Sequence, residues 1–484
     1  MAIDVNLKKQ AYPPQINSSM KKITIRIIAK IILIIIGVMA LYSLYGYINN
    51  LYQQDFFSHI LDSANSLLAQ QAYDFTFTNE LLTMYRQSLG GSIFYTCLFV
   101  SCLLVFIFLR FKSTETFLWT ISWVLTATFS VATLAICGVA IRYASNHDLK
   151  KIISSKEDLS DFLRVASQSP SDSSYAPPVF IKTGLFIQSM QFNSANDVVV
   201  TCYIWQKYDR KQLQDTTLHI GFVLPEATAV NISHAYTKEY KDFIVYGWDV
   251  ETTIRETFSY KNYPFDFQNV WVRMWHKDFE KNIVLIPDLD AYKQVHPDAK
   301  MGIEEHIVLP GWEITQSFFG YMYNDYNANF GIPDYVGLDA FPELYYCILV
   351  KRFVLTTFIS ELLPILTILF ILFVCVSIAH DEASDDFFKF NVMELLSLAT
   401  AIVFVIILLQ VDLRRKISSS EVLYIEYYYF MLYAVIFGIL FDYIMLNRFK
   451  HFKIIQYGDN ILIKVGLLPL CTGFILCVTY ITFT

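Results

Sequence analysis

The chain has 484 residues, of which 55% are hydrophobic and 17% are charged, and its formal net charge is −7 at pH 7. This composition is too apolar for an ordinary soluble protein, and the negative charge argues against nucleic acid as a partner. The length is sufficient for two or three domains.

Seven apolar runs are each long enough to cross the hydrocarbon core of a bilayer. They predict membrane helices near residues 24–47, 92–110, 117–142, 353–378, 391–410, 424–446 and 461–482. A polar block between the third and fourth runs must lie in water on one side of the membrane. The sequence therefore predicts a multi-pass membrane protein.

Basic residues in the short segments between helices set the expected orientation. They precede the first helix, and they also lie between the second and third helices and between the last two: Lys8, Lys9, Lys21, Lys22, Arg110, Lys112, Arg448, Lys450 and Lys453. This pattern predicts a cytoplasmic N-terminus, with the polar block and the C-terminus outside. Arg414, Arg415 and Lys416 would then lie on the outer side, contrary to the preference of basic residues for the cytoplasmic side.

The first 177 residues are predicted to be mainly helical. Residues 1–23 form a tail, and residues 24–142 form a three-helix membrane module. Its long loop, 48–91, carries a partial amphipathic stripe, so we expect a small helical cap on the outer side. Residues 143–177 comprise a helix near 146–168 followed by a Ser/Pro-rich linker.

From Val179 the hydrophobic period changes from that of a helix to that of a strand. Strands are predicted at 179–192, 197–209, 218–224, 243–258, 268–275, 282–286, 311–319 and 344–353. Separated by turn signals, they indicate an antiparallel β-sandwich over residues 178–352. Residues 320–341 form a loop dense in Tyr, Phe, Asn and Asp.

The last predicted strand runs into the fourth membrane helix with almost no linker. Only Lys351 and Arg352 lie at the junction. This predicts mechanical coupling between the sandwich and the four membrane helices of residues 353–484. A sensor domain that moves independently of the membrane helices would be joined to them by a flexible linker. The expected fold class is α+β: a sandwich followed by four membrane helices and preceded by three more.

A shaped turn, YKNYPFDFQNVWV (260–272), stands near the middle of the polar block. Pro264 fixes its own φ and favours extended geometry at Tyr263. Phe265 gives the turn an apolar tip, and Asp266 places one carboxylate beside it. Alone, the segment is most typical of a β-hairpin loop.

Four features in this order resemble the pentameric ligand-gated ion channels, in their prokaryotic form. TGLFIQSMQF followed by DVVVTCYIW resembles the first two strands of the family's extracellular domain, and YPFDFQ resembles its signature loop. GWEI, the aromatic loop and LYYCILVKRF resemble the last strands. ELLPILTILFILF, with Pro364, resembles the first of the four membrane helices.

The resemblance covers residues 178–484. It implies a homopentamer around an axial pore, in a bacterial inner membrane, that opens to an extracellular or periplasmic signal. The implied partners are other copies of the chain, the lipid bilayer, a small-molecule agonist or protons, and permeant monovalent ions. It implies neither a cofactor nor an enzymatic activity.

The sequence also departs from the family in three places. Animal members bracket the signature loop with a disulfide, but the corresponding positions here are Glu256 and Val270. The region between Asp209 and Glu251 looks short and lacks the Trp-containing ligand segment, so the ligand type stays open. The three N-terminal helices are not part of the common plan.

The helix 391–410 is the candidate pore lining. Met393, Ser397, Thr400, Phe404 and Ile407 recur at helical spacing and share one face. Five copies would give a polar inner stretch beneath an apolar constriction that closes by dewetting. The alternative is an ordinary buried helix whose Ser and Thr hydroxyls bond to their own backbone.

Ion selectivity depends on the sign of the charges at the pore, since acidic rings favour cations and basic rings favour anions. Lys389 lies nearest the inner mouth, after a run of acidic residues, and Glu394 lies inside the helix. A carboxylate there is costly and often functional. The acidic residues near the pore helix favour selectivity for cations, with selectivity for anions as the alternative.

For coupling, the resemblance implies an ion pair between Asp266 on the signature loop and Arg352 at the membrane junction. Such a pair can be bidentate and directional. Asp197, in the turn between the first two strands, is a candidate to join it. Arg414 and its basic neighbours are expected to face the same acidic junction. The alternative is that each is a solvated surface charge.

A ligand site between subunits would lie under the aromatic loop. The candidates are Phe319, Tyr321, Tyr323 and Tyr326 from the loop, with Tyr203 and Trp205 from the second strand. Aromatic faces suit a cationic amine. Aromatic residues are 16% of the chain, however, so the alternative is that most belong to the core.

Two other functions were weighed against a channel. An enzyme is disfavoured, because His276, His296 and His306 lack metal-ligand spacing and no catalytic motif appears. The serious alternative is a non-conducting membrane receptor that senses a ligand with its sandwich and signals through its N-terminal helices.

Overall fold

The computed structural model of the chain describes ten stretches of residues. They are 30–51, 75–110, 115–142, 151–167, 178–214, 218–324, 326–332, 341–379, 392–448 and 461–483. The tail 1–23, most of the predicted outer cap, the linker after Ser167 and Lys389 lie outside the described residues.

Seven of the described helices are long and apolar enough to cross a membrane, so the chain is a multi-pass membrane protein. Three belong to the N-terminal module: α1 (Lys30–Leu51), α2 (Phe75–Arg110) and α3 (Glu115–Arg142). The other four follow the sheets. They are a helix that begins as α5 (Val354–Thr357) and continues as α6 (Leu363–Ala379), then α7 (Val392–Lys416), α8 (Glu426–Arg448) and α9 (Ile461–Phe483).

The α5–α6 helix contains one π-helical turn, Phe358–Leu362, immediately before Pro364. Proline has no backbone N–H to donate to the preceding turn, and its ring crowds the carbonyl four residues back. A local change from α to π hydrogen bonding accommodates both effects without breaking the helix. The turn places Glu361 in a buried position.

Two predicted helix bounds were wrong. Helix α2 begins at Phe75, so residues 75–91 belong to it and not to a separate outer cap. The glycine pair at 90–91 does not end the helix, because Gly91 lies under the ring of Tyr47 on α1, where a Cβ would come within 2.7 Å of ring atoms. Helix α7 extends to Lys416, six residues beyond the prediction, so Arg414 lies in its last turn.

The helix predicted at 146–168 is instead a short strand, β1 (Lys151–Ile153), and helix α4 (Lys156–Ser167). The hydroxyl of Ser155 accepts the backbone N–H of Asp158 (3.0 Å), and the Asp158 carboxylate accepts the backbone N–H of Ser154 (3.0 Å). This reciprocal cap begins the helix at Lys156 and leaves the preceding residues free to pair as a strand.

The polar block contains β2 to β10. Their bounds are β2 (Val179–Phe192), β3 (Asp197–Asp209), β4 (Phe222–Val223), β5 (Ala227–Glu239), β6 (Phe243–Arg255), β7 (Phe267–His276), β8 (Ile283–Pro287), β9 (Trp312–Asn324) and β10 (Phe341–Arg352). Together with β1 they form two five-stranded sheets, with the orders β1-β9-β10-β7-β4 and β5-β6-β3-β2-β8.

The coarse prediction of β-sheets together with apolar membrane helices is confirmed. Inward-facing residues of both sheets, such as Val272 and Tyr346 from one and Val200 and Ile204 from the other, share one hydrophobic core. The sheets are not wholly antiparallel, because β2 and β8 run parallel. Cys202 and Cys347 are both buried and both free.

Strand β5 was missed by the sequence analysis. It pairs along β6 from Ala227 to Glu239, yet nearly all its residues are exposed. A strand exposed on both faces has no alternation of apolar and polar residues for a pattern to detect. The strand predicted at 218–224 is reduced to Phe222–Val223, and β9 extends to Asn324, which shortens the aromatic loop.

Candidate coupling junction and pore helix

The loop between β6 and β7, residues 256–266, is the segment that resembles the family's signature loop, and we use that name for it. Two backbone hydrogen bonds shape it, from Tyr263 N–H to the Tyr260 carbonyl (2.9 Å) and from Phe265 N–H to the Asn262 carbonyl (2.8 Å). The peptide bond between Tyr263 and Pro264 is cis. The loop therefore presents a compact tip toward the membrane helices.

The ion pair between Asp266 and Arg352 that the resemblance implied is present. Arg352 Nε donates to Asp266 Oδ1 (2.6 Å) and Nη2 donates to Oδ2 (2.9 Å), a bidentate geometry. The side chains are 1% and 16% exposed. The strand register explains why the two side chains meet. Lys351 on β10 lies opposite Phe267 on β7, so the adjacent residues Arg352 and Asp266 lie side by side at the same end of the sheet.

Aromatic rings surround the guanidinium of Arg352. Its central carbon lies 4.0 Å from the ring centroid of Trp312, 4.8 Å from Tyr263 and 5.9 Å from Tyr260. Trp312 is a buried member of the sandwich core, and its ring lies directly against this cation. Burial raises the pKa of Tyr260 to about 12, opposed by the nearby positive charge of Arg352. The phenol therefore stays neutral at the junction.

The signature loop contacts the helical domain at several points. Tyr260 and Tyr263 belong to the same hydrophobic cluster as Leu423 and Tyr429, at the start of α8. Two hydrogen bonds reach the α7–α8 connection, one from the Tyr424 N–H to the Lys261 carbonyl (2.9 Å) and one from the Ser259 hydroxyl to the Glu421 carboxylate (2.9 Å). The loop is thus fixed to the α7–α8 connection as well as to β10.

Phe265 forms the tip of the signature loop, after Pro264. Its ring centroid lies 6.1 Å from Tyr424 and 5.9 Å from Phe483, the last described residue of α9. It packs against a hydrophobic cluster that also contains residues of α3. The tip therefore contacts the helix that ends the chain.

Asp197 does not join the Asp266–Arg352 pair, so this prediction was wrong. Arg255 donates to it from Nε (2.7 Å) and Nη2 (3.3 Å). The two residues are directly opposite in the β3–β6 register, which fixes the pairing. The Arg255 hydrogen bond lowers the pKa of Asp197. The turn reaches the signature loop by another route, since the Tyr260 hydroxyl donates to the Ala195 carbonyl (2.7 Å).

Arg414 also does not face Asp266. Its Nε donates to Glu426 Oε1 (2.6 Å), and its Nη1 donates to the Ser419 carbonyl (2.7 Å). Because α7 is longer than predicted, Arg414 lies within the helix and ties its last turn to the first turn of α8. Lys416 binds Glu361 on the π-helical turn (3.0 Å) and Asp412 (2.6 Å). These basic residues therefore brace the α7–α8 connection.

The predicted pore face of α7 points away from its own helical bundle. Leu395, Ala399, Ile402 and Ile406 on the opposite face are buried. The five predicted residues are all exposed: Met393, Ser397, Thr400, Phe404 and Ile407.

The hydroxyls of that face are bonded within the helix. Ser397 donates to the Met393 carbonyl and Thr400 to the Leu396 carbonyl, both at 2.8 Å. This is the backbone bonding that the alternative interpretation expected, but it occurs on an exposed face rather than a buried one. Glu394 is exposed.

The six predicted ligand-binding aromatics do not form one site within the chain. Phe319 and Tyr321 are fully buried in the sandwich core, and the Tyr321 hydroxyl donates to the Leu285 carbonyl (3.0 Å). Trp205 donates from Nε1 to Asp288 (2.9 Å). Tyr203 and Tyr323 are half-buried, on strands of different sheets. The core interpretation is correct for Phe319 and Tyr321.

Tyr326 belongs to a cluster that sequence reasoning missed. Its hydroxyl donates to Glu343 (2.5 Å) and accepts from Arg273 Nη1 (3.0 Å). The Arg273 guanidinium lies 5.3 Å from the ring of Trp275 and 6.0 Å from that of Tyr345, and it also pairs with Glu226. One feature of the sequence could have indicated this cluster: the alternation along β7 places Arg273 between Trp271 and Trp275 on the outward face.

Glu256 begins the signature loop, where animal channels have a cysteine, and it is 4% exposed. One carboxylate oxygen accepts the Trp271 N–H (3.0 Å), while Oε2 has no partner among the described residues. Burial raises the pKa of Glu256 to about 9, the Trp271 hydrogen bond opposes this, and repulsion from Glu226 adds to it. Glu256 is therefore protonated at neutral pH.

No family model matches this chain, and a search of curated proteins finds no match either. The described residues also contain no group of three or more His, Cys, Asp or Glu side chains placed to hold a metal ion. Interpretation of the site therefore depends on its own geometry.

The Asp266–Arg352 pair is expected to stabilise the protein more than the Asp197–Arg255 pair, although both are bidentate. Arg352→Lys keeps the charge but loses the second hydrogen bond and the stacking on Trp312, and should lower the free energy of unfolding by about 1–3 kcal/mol. Arg255→Lys, at a side chain that is 63% exposed, should change it by less than about 0.5 kcal/mol. Denaturant unfolding of the purified protein in detergent measures both, and equal losses would contradict the account.

The free energy of unfolding is expected to fall as the pH rises, because the buried Glu256 carboxyl loses its proton. Its pKa in the folded protein is about 9, against an ordinary pKa of 4.5 for a glutamate, so its contribution to stability is complete below pH 4.5 and is lost as the pH rises through about 9. The slope is at most about 1.4 kcal/mol per pH unit for one proton. Unfolding between pH 5 and pH 10 should show this component in the wild type and in Glu251→Gln, an exposed control on β6, but not in Glu256→Gln. An unchanged profile in Glu256→Gln would refute it.

Proposed function

We propose that the protein is a ligand-gated ion channel of the pentameric type, in which a signal at the sandwich opens a pore lined by α7. The observation that carries this proposal is the junction. The buried Asp266–Arg352 pair joins the signature loop to the last residue of β10, and the loop in turn is bonded to the α7–α8 connection. A movement of the sheets would therefore reach the α7–α8 connection, which Arg414 ties to the last turn of α7 through the Ser419 and Glu421 carbonyls.

The exposed face of α7 supports a pore. Phe404 is 61% exposed and Met393 is 69% exposed, on a helix whose other face is packed. A membrane helix can expose such a face to lipid or to an axial pore. A pore explains the order of the residues along it, with hydroxyls at Ser397 and Thr400 on one half and a large apolar ring at Phe404 on the other.

Strand β5 supports assembly from several copies. It is a 13-residue strand at the edge of its sheet, paired on one side only, with exposed Val230, Ile232 and Tyr236. A long edge strand with unpaired backbone groups can pair with a strand of another chain unless it is covered. A ring of copies would cover it on every subunit.

Selectivity for cations remains our proposal, with Glu394 exposed on α7 as its basis. The orientation proposed is a cytoplasmic N-terminus with the sandwich outside, in a bacterial inner membrane. For the ligand, the Arg273 guanidinium already lies against Trp275 and Tyr345, which argues against a cationic amine at those two rings.

The second candidate is a non-conducting receptor that signals through its N-terminal helices. The observation that favours it is that α3 packs along α9, so the N-terminal module is in contact with the same domain as the signature loop. In this case α7 would expose its face to lipid.

Reconstitution of the purified protein in planar bilayers separates the two functions. We expect a fivefold particle with an axial pore by electron microscopy, and unitary currents over a range of pH and of small amines. Phe404→Ala should raise the resting current, because the apolar constriction widens. Phe437→Ala, at a ring that is 62% exposed on α8, is the matched control and should leave it unchanged. No current from the wild type or from Phe404→Ala, despite a fivefold particle, would overturn the channel proposal.

A further inference from the structure

The three N-terminal helices have no role in the proposed gating pathway, yet they are docked closely on the pore domain. Near one end of α9, the Ser122 hydroxyl on α3 donates to the Val465 carbonyl (2.6 Å). Further along, Gly473 lies beneath the Phe129 ring, whose nearest atom is 3.3 Å from where a Cβ would be. Helix α3 therefore follows α9 over most of its length.

Helices α1 and α2 contact the same helix through aromatic side chains. Phe94 on α2 stacks on Tyr480, with ring centroids 4.2 Å apart. The Tyr47 hydroxyl on α1 is hydrogen bonded to the Tyr480 hydroxyl (2.9 Å). All three helices of the module thus converge on the end of α9 nearest the sandwich.

Specific packing rather than general apolar burial holds the module there. Lipid tails are as apolar as helix surfaces, so membrane helices associate through close packing and hydrogen bonds. The face of α3 toward α9 carries the small residues Ala132, Cys137 and Ala140, all buried. Together with Gly473 on α9 they allow the close approach of α3 and α9 that the Ser122 hydrogen bond requires.

This docking reaches the signature loop. Phe265 packs against the hydrophobic cluster that contains Ile136 and Ala140 of α3, Phe483 of α9 and Tyr424. The Phe483 ring lies 5.9 Å from Phe265 and 5.0 Å from Tyr424. A shift of α3 against α9 would therefore move the rings against which the tip of the loop rests.

The module is also fixed to the sandwich. The strand that follows it, β1, adds to the edge of β9, with Lys151 opposite Tyr321. In α4, Phe162 is 2% exposed and stacks on Tyr321 at 3.8 Å. The chain that follows the module is therefore attached to the β9 edge of the sandwich by contacts that do not involve the Asp266–Arg352 pair.

We propose that the α1–α3 module is a regulatory unit built into the chain. It sets the resting position of the signature loop through Phe483, and a change in the packing of α3 on α9 shifts the balance between closed and open states. The effect on gating depends on the proposed channel function, whereas the effect on the loop does not.

The test uses the full-length protein and a readout that needs no current. Ala140→Leu adds bulk to the buried contact between α3 and α9, and Ala135→Leu, exposed on the same helix, is the matched control. Hydrogen exchange is followed in peptides covering residues 257–267 and Tyr424, whose N–H is bonded to the Lys261 carbonyl. We expect exchange about fivefold faster or more in Ala140→Leu, and within about twofold of wild type in Ala135→Leu.

Phe483→Leu provides a second, independent variant, which decides the question if Ala140→Leu does not fold. It removes the ring between α9 and Phe265 and should give the same acceleration. In bilayers, both variants should shift the resting open probability while the Ala135→Leu control does not. Unchanged exchange in the signature loop of Phe483→Leu, and of Ala140→Leu if it folds, would overturn the inference, even if the wild type conducts. Changed exchange without any current from the wild type would sustain it and refute only the channel.

Discussion

The buried pair of Asp266 and Arg352 is the constraint on which the account depends. It brings the end of the signature loop to the end of β10, one residue before the membrane helix begins, and places the guanidinium against Trp312. Removing one partner of such a pair leaves an uncompensated buried charge, at a cost of about 3–5 kcal/mol. The pair therefore fixes the signature loop to the end of the strand that leads into the helical bundle.

Around this pair, aromatic packing holds the signature loop in place. Tyr260 and Tyr263 fill the space between the sheets and α8, and Phe265 rests on the end of α9. Glu256, at the start of the loop, is buried, and burial raises its pKa to about 9. The loop is thus held by contacts that temperature, pH and neighbouring helices can change, whereas a covalent bond would resist all three.

The sequence predicted those parts of the fold that a strong periodicity or a sharp local signal encodes. Seven long apolar runs predicted the membrane helices, and the resemblance carried by YPFDFQ and LYYCILVKRF implied the Asp266–Arg352 pair. Strand β5 was missed because exposure on both faces removes the alternation of a strand. Helix α7 was predicted to end too early, because its end was placed where the apolar run stops and not where the helix stops. Arg414 was therefore placed in a loop instead of in the last turn of the helix.

The candidate ligand residues failed for a different reason. Tyr321 and Tyr326 are close in sequence, but one fills the core and the other lies beside Arg273, since their environments are decided by strands far apart in the chain. Composition cannot distinguish a core ring from a binding ring. Likewise, the docking of α3 on α9 is a contact between the two ends of the chain that no local pattern predicts.

A double-mutant cycle on gating tests the central claim most directly. Asp266→Asn, Arg352→Gln and the double variant would be reconstituted in planar bilayers, with open probability measured over a pH series and particle size checked by electron microscopy. The account predicts intact particles and a coupling free energy of at least about 1 kcal/mol in the closed-to-open equilibrium. Effects that add to within about 0.5 kcal/mol would show that the pair does not transmit the movement, and would contradict the account.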